Sequence, residues 1–529
     1  MSRSRALSDR VVPLSRSALA VGGLALAAVF LTLVLCNSFL CDDAFITFRY
    51  SRNLAAGHGP VFNLNERVEG YTNFLWMLLM AAVIKLRAAP ELWSRVLSVL
   101  FSLGTLAMFV GRNARQYGSI VELLLFPAFL ALSAPFFVWT TGGLETAAFA
   151  FFLFSGLVTL EKARRSARTP DFLISSLLFL AASLTRPEGP MVFGLAALYL
   201  LLQSARKKVS GSALAAFLAP FMVLYVIFLG WRWTYYGKLL PNSFYVKAPR
   251  EGLQLMGLEY FLDFVIASSF WIPLLLALYR SLRGRGGRLT GFGVLLIAVT
   301  TCYSLYVILV GGDYMALSRY LMPMLPLIYL LLQDLCWAVT SKPAALGLPT
   351  IIAAVFIVFA AANLYANHRA GRVWNENGID SIGALKDYTE TWTDAAYMIR
   401  QNSLPSDTIA VTAAGIIPYY TELYTVDILG LMAPDLSKYR KRPGIDRVGH
   451  SLSIEPEYCF ALRPQFLIGH PMIKPRADEA FGSATMRDRE DLFRKYYSPV
   501  RLELPEHPGL FLNFWLRPDV IPRIKQKLW

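Results

Sequence analysis

Two adjacent carboxylates, Asp42 and Asp43, follow directly on the first long apolar run of the chain, residues 18–39. A run of this length is typical of a transmembrane helix, so both acids are expected at the membrane surface, where charge is costly and calls for a reason. Like charges side by side raise the proton affinity of one of them, which suits a group that takes and gives a proton. Solvated residues at a helix end are the alternative interpretation.

Further polar residues fall in other segments between apolar runs, and these segments are rich in Gly, Pro, Asn and aromatic residues. Arg and Lys at the membrane surface can bind a phosphate group through charge-assisted hydrogen bonds, and carboxylates, amides and aromatic rings can bind a ligand rich in hydroxyl groups. The candidate phosphate-binding residues are, in order of preference, Arg186, Lys238 and Arg319, because Arg186 follows the short apolar run 172–185 and is expected close to the membrane surface. The candidate substrate-binding residues are Arg49, Glu69, Tyr71, Glu145, Glu188, Asn242 and Asp313. Asp42 and Asp43 are the catalytic candidates, since a carboxylate can deprotonate an attacking hydroxyl.

Structural roles compete with these assignments. Glu145 is suited to capping the following helix, and Arg186 and Glu188 to pairing with each other across a turn. Asp313 follows two glycines and is suited to capping a turn, while Lys238 is suited to snorkelling from the membrane interface. Both interpretations stay open for each of these residues.

Composition places the chain among polytopic membrane proteins. Of its 529 residues, 55% are hydrophobic and only 16% are charged, and the mean hydropathy is +0.46. The net charge of +15 does not indicate nucleic-acid binding, because Lys and Arg cluster in short loops between apolar runs. That clustering is typical of cytoplasmic loops.

The basic loops also predict a topology. Residues 112–115, 162–168, 205–208 and 280–288 are assigned to the cytoplasmic side with the N-terminus. This arrangement requires the stretch 73–111 to cross once, so the short run 73–87 is expected to be interfacial or re-entrant. About eleven transmembrane helices follow, with the segments that carry the candidate site and the C-terminus outside.

The composition turns soluble after residue 366. A helix is predicted over 381–402, followed by strands over 408–413, 424–429, 465–469, 500–504 and 510–515. The predicted fold is a polytopic α-helical membrane domain, residues 1–366 with a first extracytoplasmic loop at 40–72, and an extracytoplasmic α/β domain, residues 367–529.

Several site types are absent from the sequence. It contains no Gly-rich phosphate loop, no Asp-x-Asp and no histidine spacing for a metal. The lack of an Asp-x-Asp argues against a nucleotide-sugar as the donor substrate. The five cysteines give no disulfide framework. No cofactor is assigned, and a divalent metal stays open because the two carboxylates suit a base or a metal ligand.

The first-loop block DDAFITFRYSRNLAAGHGPVFNLNERVEGYTNFLW, with LTRPEG, YYGKLLPNSFYVK and GGDYMALSRYLMPMLP, resembles the GT-C superfamily of integral-membrane glycosyltransferases, in particular the terminal β-(1→2)-arabinofuranosyltransferases. The resemblance covers residues 25–340 and, more weakly, 413–431. It implies a polyprenyl-phosphate-linked sugar donor outside the cytoplasm and acidic residues in the first extracytoplasmic loop, where Asp42 and Asp43 lie.

The leading hypothesis is therefore a glycosyltransferase of the bacterial cytoplasmic membrane. It would move a sugar, with arabinofuranose as a candidate, to a glycan, lipid or protein acceptor. The alternatives are a flippase of lipid-linked saccharides and a membrane-anchored scaffold. A flippase is expected to carry charges and helix breaks at mid-span, whereas most charges here lie in loops.

Overall fold

The computed structural model describes residues 16–246, 252–284, 286–337, 348–372, 379–441, 452–475 and 494–525. The chain divides into two compact units, and each unit is assembled from separate stretches of sequence. The first takes its residues from Met1–Ser38, Ser94–Phe228 and Glu251–Val373, and the second from Phe39–Trp93, Leu229–Arg250 and Trp374–Trp529.

The first unit is helical. Its helices are α1 (Arg16–Cys36), α4 (Pro90–Asn113, which begins in the second unit), α5 (Ile120–Leu132), α6 (Ala134–Val138), α7 (Thr146–Ser166), α8 (Thr169–Thr185), α9 (Gly189–Ala205), most of α10 (Gly211–Tyr236), α12 (Leu253–Ser268), α13 (Trp271–Leu282), α14 (Gly291–Leu309), a 3₁₀ turn (Arg319–Met324), α15 (Leu325–Cys336) and α16 (Leu348–Arg372). Local signals set several starts: Ser119 accepts a hydrogen bond from the N–H of Glu122 at the start of α5.

Six helices of the described residues are long and apolar enough to cross a membrane: α1, α4, α7, α10, α14 and α16. The pair α12 and α13 also qualifies as a single span bent by 71°. Helices α5, α8 and α9 and the 12-residue helix Phe74–Lys85 are shorter and apolar. The chain is thus a multi-pass membrane protein, whereas the count of eleven spans and the interfacial place of 73–87 stay predictions.

A buried ion cluster links three helices of the first unit. The Arg112 guanidinium lies 2.6 Å from a carboxylate oxygen of Asp334 and 3.1 Å from one of Glu161. Because a buried charge is tolerated when it is paired, the two acids and the arginine stabilise one another at this position. Asp334 therefore joins helices and lies outside the candidate site.

The second unit contains a sheet. Its elements are α2 (Asp42–Ala55), α3 (Phe74–Lys85), the end of α10, α11 (Asn242–Val246), α17 (Ile382–Gln401), β1 (Thr408–Val411), α18 (Ile416–Thr421), β2 (Tyr424–Asp427), β3 (Tyr439–Lys441), β4 (Leu452–Ile454), α19 (Pro456–Ala461), β5 (Phe466–Lys474), β6 (Ser498–Leu504) and β7 (His507–Leu516), with 3₁₀ turns at Leu436–Lys438 and Pro518–Arg523.

The main sheet has the strand order β2-β1-β5-β7-β6. Strand β1 is parallel to β2 and to β5, while β7 is antiparallel to β5 and β6. Buried residues of its strands, such as Ala410, Leu467 and Trp515, share one core. The predicted helix over 381–402, the five predicted strands and the α-helical membrane fold with a C-terminal α/β domain are confirmed. The proposed division at residue 366 stays a prediction, and the first loop packs in the same unit as the C-terminal sheet.

Candidate functional site

The Asp42 carboxylate is held by backbone amides of the C-terminal sheet domain. One of its oxygens accepts a hydrogen bond from the N–H of Ile416 at 2.7 Å, and the other from the N–H of Gly415 at 3.2 Å. Asp42 begins helix α2, so this contact fixes the start of that helix, and Asp43 is the next residue of the same turn. We refer to this contact as the Asp42 latch.

Gly415 is required by the closeness of that approach. A Cβ atom at position 415 would lie 2.0 Å from the backbone oxygen of Asp42 and 2.6 Å from its carboxyl carbon. Both distances are far shorter than a van der Waals contact, so any larger residue would force the two segments apart.

Burial and hydrogen bonds act in opposite directions on the pKa of Asp42. Burial of the carboxyl group raises the pKa of Asp42 to about 7, although part of the residue surface is accessible; the Ile416 N–H acts in the opposite direction, and the nearby Asp43 raises it further. A carboxyl group with this pKa is present in both its charged and neutral forms near neutral pH.

Arg49, a predicted substrate-binding residue, is buried and holds the sheet domain against α2. Its guanidinium donates to the carbonyl oxygens of Phe62, Pro418 and Leu423 at 2.9, 2.7 and 2.8 Å. It also donates to the side chains of Asn63 and Thr425. These contacts give Arg49 a structural role, and its role in substrate binding stays a prediction.

Glu69 and Tyr71, two more predicted substrate-binding residues, meet the end of α10. A Glu69 carboxylate oxygen lies 2.6 Å from the Arg232 guanidinium, and both residues are buried. The hydroxyl groups of Tyr71 and Tyr236 lie 3.0 Å apart. Burial raises the pKa of Glu69 in spite of Arg232. The end of α10 therefore lies against the first loop.

Asn242 and Lys238 lie beside the loop that follows β2. The Asn242 amide donates to the carbonyl oxygens of Gly430, Leu431 and Ala433 at 3.0 to 3.1 Å. The Lys238 ammonium donates to the Asn242 side-chain oxygen at 3.0 Å. Within the described part of the chain, Lys238 has no carboxylate within ion-pair distance, unlike Arg186 and Arg319.

Asp427 was not among the candidates from the sequence. It ends β2, is buried, and accepts hydrogen bonds from the N–H groups of Leu429 and Met432, both at 2.9 Å. Burial raises its pKa to about 6. The available signal was an Asp within the predicted strand 424–429, shortly before Gly430 and within the segment 413–431 that carries the weaker resemblance. These bonds shape the loop that Asn242 binds.

The turn Arg186-Pro187-Glu188-Gly189 forms a second cluster, which lies within the first unit. Arg186 has extended backbone dihedrals, φ −149° and ψ 147°, as expected before a proline. A Cβ at Gly189 would lie 2.5 Å from the Ser183 backbone, so the turn packs tightly against the end of α8. This geometry holds Arg186 and Glu188 in fixed positions.

Arg186 is paired with two carboxylates. Its Nε and Nη2 donate to the two Glu188 oxygens at 3.1 and 2.9 Å, and its Nη1 donates to Glu145 at 2.9 Å. All three side chains are at least nine-tenths buried. The predicted Arg186–Glu188 pair is confirmed. Glu145 does not cap α7 with its side chain, because its carboxylate is turned to Arg186 instead.

Asp313 and Arg319 form another buried pair in the same unit, with Nε and Oδ2 2.8 Å apart. Asp313 also accepts a hydrogen bond from the N–H of Tyr314, which confirms a turn-capping role. The Tyr320 ring lies 4.8 Å from the Arg186 guanidinium carbon and 5.1 Å from that of Arg319. Tyr320, which was not a candidate, thus joins the two pairs.

The two units therefore divide the candidates into two groups. The second unit brings together Asp42, Asp43, Arg49, Glu69, Tyr71, Lys238 and Asn242, and the first brings together Glu145, Arg186, Glu188, Asp313 and Arg319. Among the described residues, no three His, Cys, Asp or Glu side chains are arranged to hold a metal ion. A role for a divalent metal accordingly stays open.

Comparison with known proteins supports the resemblance. The chain is 31% identical over 330 residues to a terminal β-(1→2)-arabinofuranosyltransferase of Corynebacterium glutamicum, a match that covers 54% of this chain and 47% of that protein. It is 30% identical over 262 residues to a protein of the same name from Mycobacterium tuberculosis, covering 45% of this chain and 40% of that one. The chain thus spans about half the length of the curated relatives it matches.

A domain model described as a domain of unknown function, DUF8728, matches residues 383–508. In structure, the chain is similar to ArnT from Cupriavidus metallidurans bound to undecaprenyl phosphate. The TM-score is 0.64 at 13% sequence identity, and the match covers 96% of this chain and 99% of that one. The chain therefore has the fold of this GT-C protein and is similar in sequence to the terminal β-(1→2)-arabinofuranosyltransferases.

Proposed function

We propose that this protein is a membrane glycosyltransferase that moves a sugar from a polyprenyl-phosphate donor to an acceptor outside the cytoplasm. Arabinofuranose is the leading candidate sugar, because two relatives are named terminal β-(1→2)-arabinofuranosyltransferases. A lipid phosphate donor is supported by the similar fold of ArnT, whose structure holds undecaprenyl phosphate. The membrane is the bacterial cytoplasmic membrane, with the N-terminus inside and the sheet domain outside.

The observation that carries the proposal is the Asp42 latch. It fixes the side chains of Asp42 and Asp43 next to each other at the start of the first-loop helix. An acceptor hydroxyl must lose its proton as it attacks the anomeric carbon, and a nearby carboxylate can take that proton.

The two acids divide this task between them. Each Asp42 oxygen already accepts a backbone N–H, so Asp42 holds the pair in position against Gly415 and Ile416. Asp43 takes the proton from the acceptor. The carbon–oxygen bond to the lipid phosphate breaks as the new glycosidic bond forms, and the departing polyprenyl phosphate carries the negative charge.

The donor phosphate requires a cation at the membrane surface. Arg186, Lys238 and Arg319 are the candidates from the sequence. Arg186 and Arg319 are each paired with buried carboxylates, which compete with a phosphate for the guanidinium. The Lys238 ammonium contacts the neutral Asn242 oxygen, so Lys238 is the foremost candidate.

The test is transfer by the full chain in membranes supplied with a panel of polyprenyl-phosphate sugars. Release of polyprenyl phosphate with the arabinofuranosyl donor, dependent on added acceptor, is the expected result. Movement of the intact lipid-linked sugar across the bilayer without release of polyprenyl phosphate would contradict the proposal and favour a flippase.

A further inference from the structure

The end of the sheet that meets the Asp42 latch also carries an aromatic cluster on helix α17 and strand β5. The Tyr388 and Trp392 rings are stacked with centroids 4.6 Å apart and an interplanar angle of 12°. The His470 ring stands at 86° to both, 6.1 Å from Tyr388 and 5.4 Å from Trp392. Nothing in the transfer mechanism described above uses these three residues.

Two contacts place the cluster beside Asp42 and Asp43, all within the second unit. The Thr389 hydroxyl, next to Tyr388, donates to the carbonyl of Leu40 at 2.6 Å, two residues before Asp42. The N–H of Thr412 donates to the carbonyl of Gly469 at 2.9 Å, which brings His470 beside the segment leading from β1 to Gly415.

This location is where the parallel pairing of β1 and β5 ends. The two strands run in the same direction with Val411 opposite Gly469; β1 ends there, before the segment that leads to Gly415, whereas β5 continues to Lys474. In α/β sheets, ligands bind in the crevice outside the carboxyl ends of the strands. The position of the cluster therefore suits ligand binding as well as packing.

The exposure of the residues is consistent with a ligand site. Asp42, Asp43, Tyr388 and His470 are all partly accessible, whereas Trp392 is 3% exposed and supports the ring of Tyr388 from behind. We refer to these five residues as the latch recess. It offers two carboxylates, an imidazole and one supported aromatic ring.

We propose that the latch recess binds the acceptor sugar. This inference rests on the proposed transferase function and names the acceptor site. Carboxylates and imidazole nitrogens hydrogen-bond sugar hydroxyls, and a supported tyrosine ring can pack on the apolar face of a sugar ring. None of the five residues is a lysine or an arginine, so the recess suits a neutral sugar and disfavours the donor phosphate. Binding here places an acceptor hydroxyl next to Asp43.

The experiment uses the full-length protein in lipid nanodiscs with two probes, an arabinofuranosyl disaccharide and undecaprenyl phosphate. Tyr388→Ala and His470→Ala are compared with the wild type and with Tyr397→Ala. Tyr397 is exposed and lies nine residues along α17, on the opposite side of the helix from Tyr388. Binding of each probe and the KM values for donor and acceptor are measured.

We expect Tyr388→Ala and His470→Ala each to weaken disaccharide binding about tenfold and to raise the acceptor KM in parallel. Undecaprenyl phosphate binding and the donor KM should stay unchanged, and Tyr397→Ala should match the wild type. Unchanged disaccharide binding in both variants, or an equal loss of undecaprenyl phosphate binding, would contradict the proposal that the latch recess binds the acceptor sugar.

The two proposals fail in different ways. Transfer by the wild type, together with no effect of either recess variant, would refute the recess and leave the transferase standing. Disaccharide binding that depends on Tyr388 and His470, without transfer from any polyprenyl-phosphate sugar, would support the recess and refute the transferase. A folded wild type that shows neither binding nor transfer would count against both.

Discussion

The cluster of Arg186, Glu145 and Glu188 and the Asp42 latch stabilise their carboxylates through different partners. In the first, Glu145 and Glu188 meet the guanidinium of Arg186 at 2.9 Å. In the second, Asp42 meets two backbone N–H groups, and no Lys or Arg among the described residues lies within ion-pair distance of it. A cation stabilises the charged form of a carboxylate far more than amides do, so burial raises the pKa of Asp42 in spite of its two N–H partners.

The two regions therefore have different roles. Buried ion pairs fix the geometry of the turn at 186–189 and of the segment 313–319, and they would be costly to separate. The latch instead keeps a carboxyl group near its titration point.

The largest effect on stability is expected from Arg186→Gln, which leaves Glu145 and Glu188 buried without their shared cation. Removing one partner of a buried ion pair costs about 3–5 kcal/mol. Thermal unfolding in detergent should show this loss, and Glu188→Gln added to Arg186→Gln should recover part of it. If Arg186→Gln unfolds like the wild type and only the donor KM rises, Arg186 binds the phosphate instead.

Lys238→Gln tests the foremost phosphate candidate. Loss of a charge-assisted hydrogen bond to the donor should cost about 1.5–3 kcal/mol of binding, which is roughly a tenfold or greater rise in the donor KM. The acceptor KM and the melting temperature should stay unchanged. Arg67→Gln, which removes a cation of the first loop, is a control. An equal rise in Arg67→Gln would mean that general surface charge, and not a specific contact, attracts the lipid.

Gly415→Ala tests the closeness of the latch. The added methyl group would meet Asp42 at 2.0 to 2.6 Å, so the two segments must separate at a cost of about 1–3 kcal/mol. Gly230→Ala is the control, since no atom lies within 4 Å of the added Cβ at that helical position of the same unit. A melting temperature unchanged in Gly415→Ala would show that the latch is not formed as described.

A further prediction concerns pH. The folded-state pKa of Asp42, about 7, is higher than its ordinary value of 3.8, so the folded state binds the extra proton between these values. Asp42 thus contributes stability that is present below pH 3.8 and is lost as pH rises through 7. The melting temperature should fall more steeply from pH 5 to 8 in the wild type than in Asp42→Asn. Parallel curves would contradict the raised pKa.

Much of this arrangement could be read from the sequence. The acids after the first apolar run, the turn at Arg186–Gly189 and the strands of the C-terminal domain have local signals in residue type and spacing. The latch does not, because backbone N–H groups of Gly415 and Ile416 leave no signature in the sequence. Arg232 also gave no signal as the partner of Glu69, since the two residues are 163 positions apart.

The preferred residue for binding the donor phosphate also changed, from Arg186 to Lys238, because of a tertiary contact. Sequence alone favoured Arg186 because a short helix fixes it near the membrane surface. Its pairing with Glu145, 41 positions away, is a tertiary contact that no local pattern predicts. Lys238 becomes the foremost phosphate-binding candidate because its hydrogen-bond partner among the described residues is the neutral side chain of Asn242.

The most direct test of the central claim compares Asp43→Asn with Asp42→Asn in transfer and in stability. Asp43→Asn should lower turnover about a hundredfold or more, the scale for loss of a general base, and leave the melting temperature unchanged. Asp42→Asn should lower both, because an amide N–H₂ would face a backbone N–H in the latch. Near-normal turnover in both variants would contradict the account.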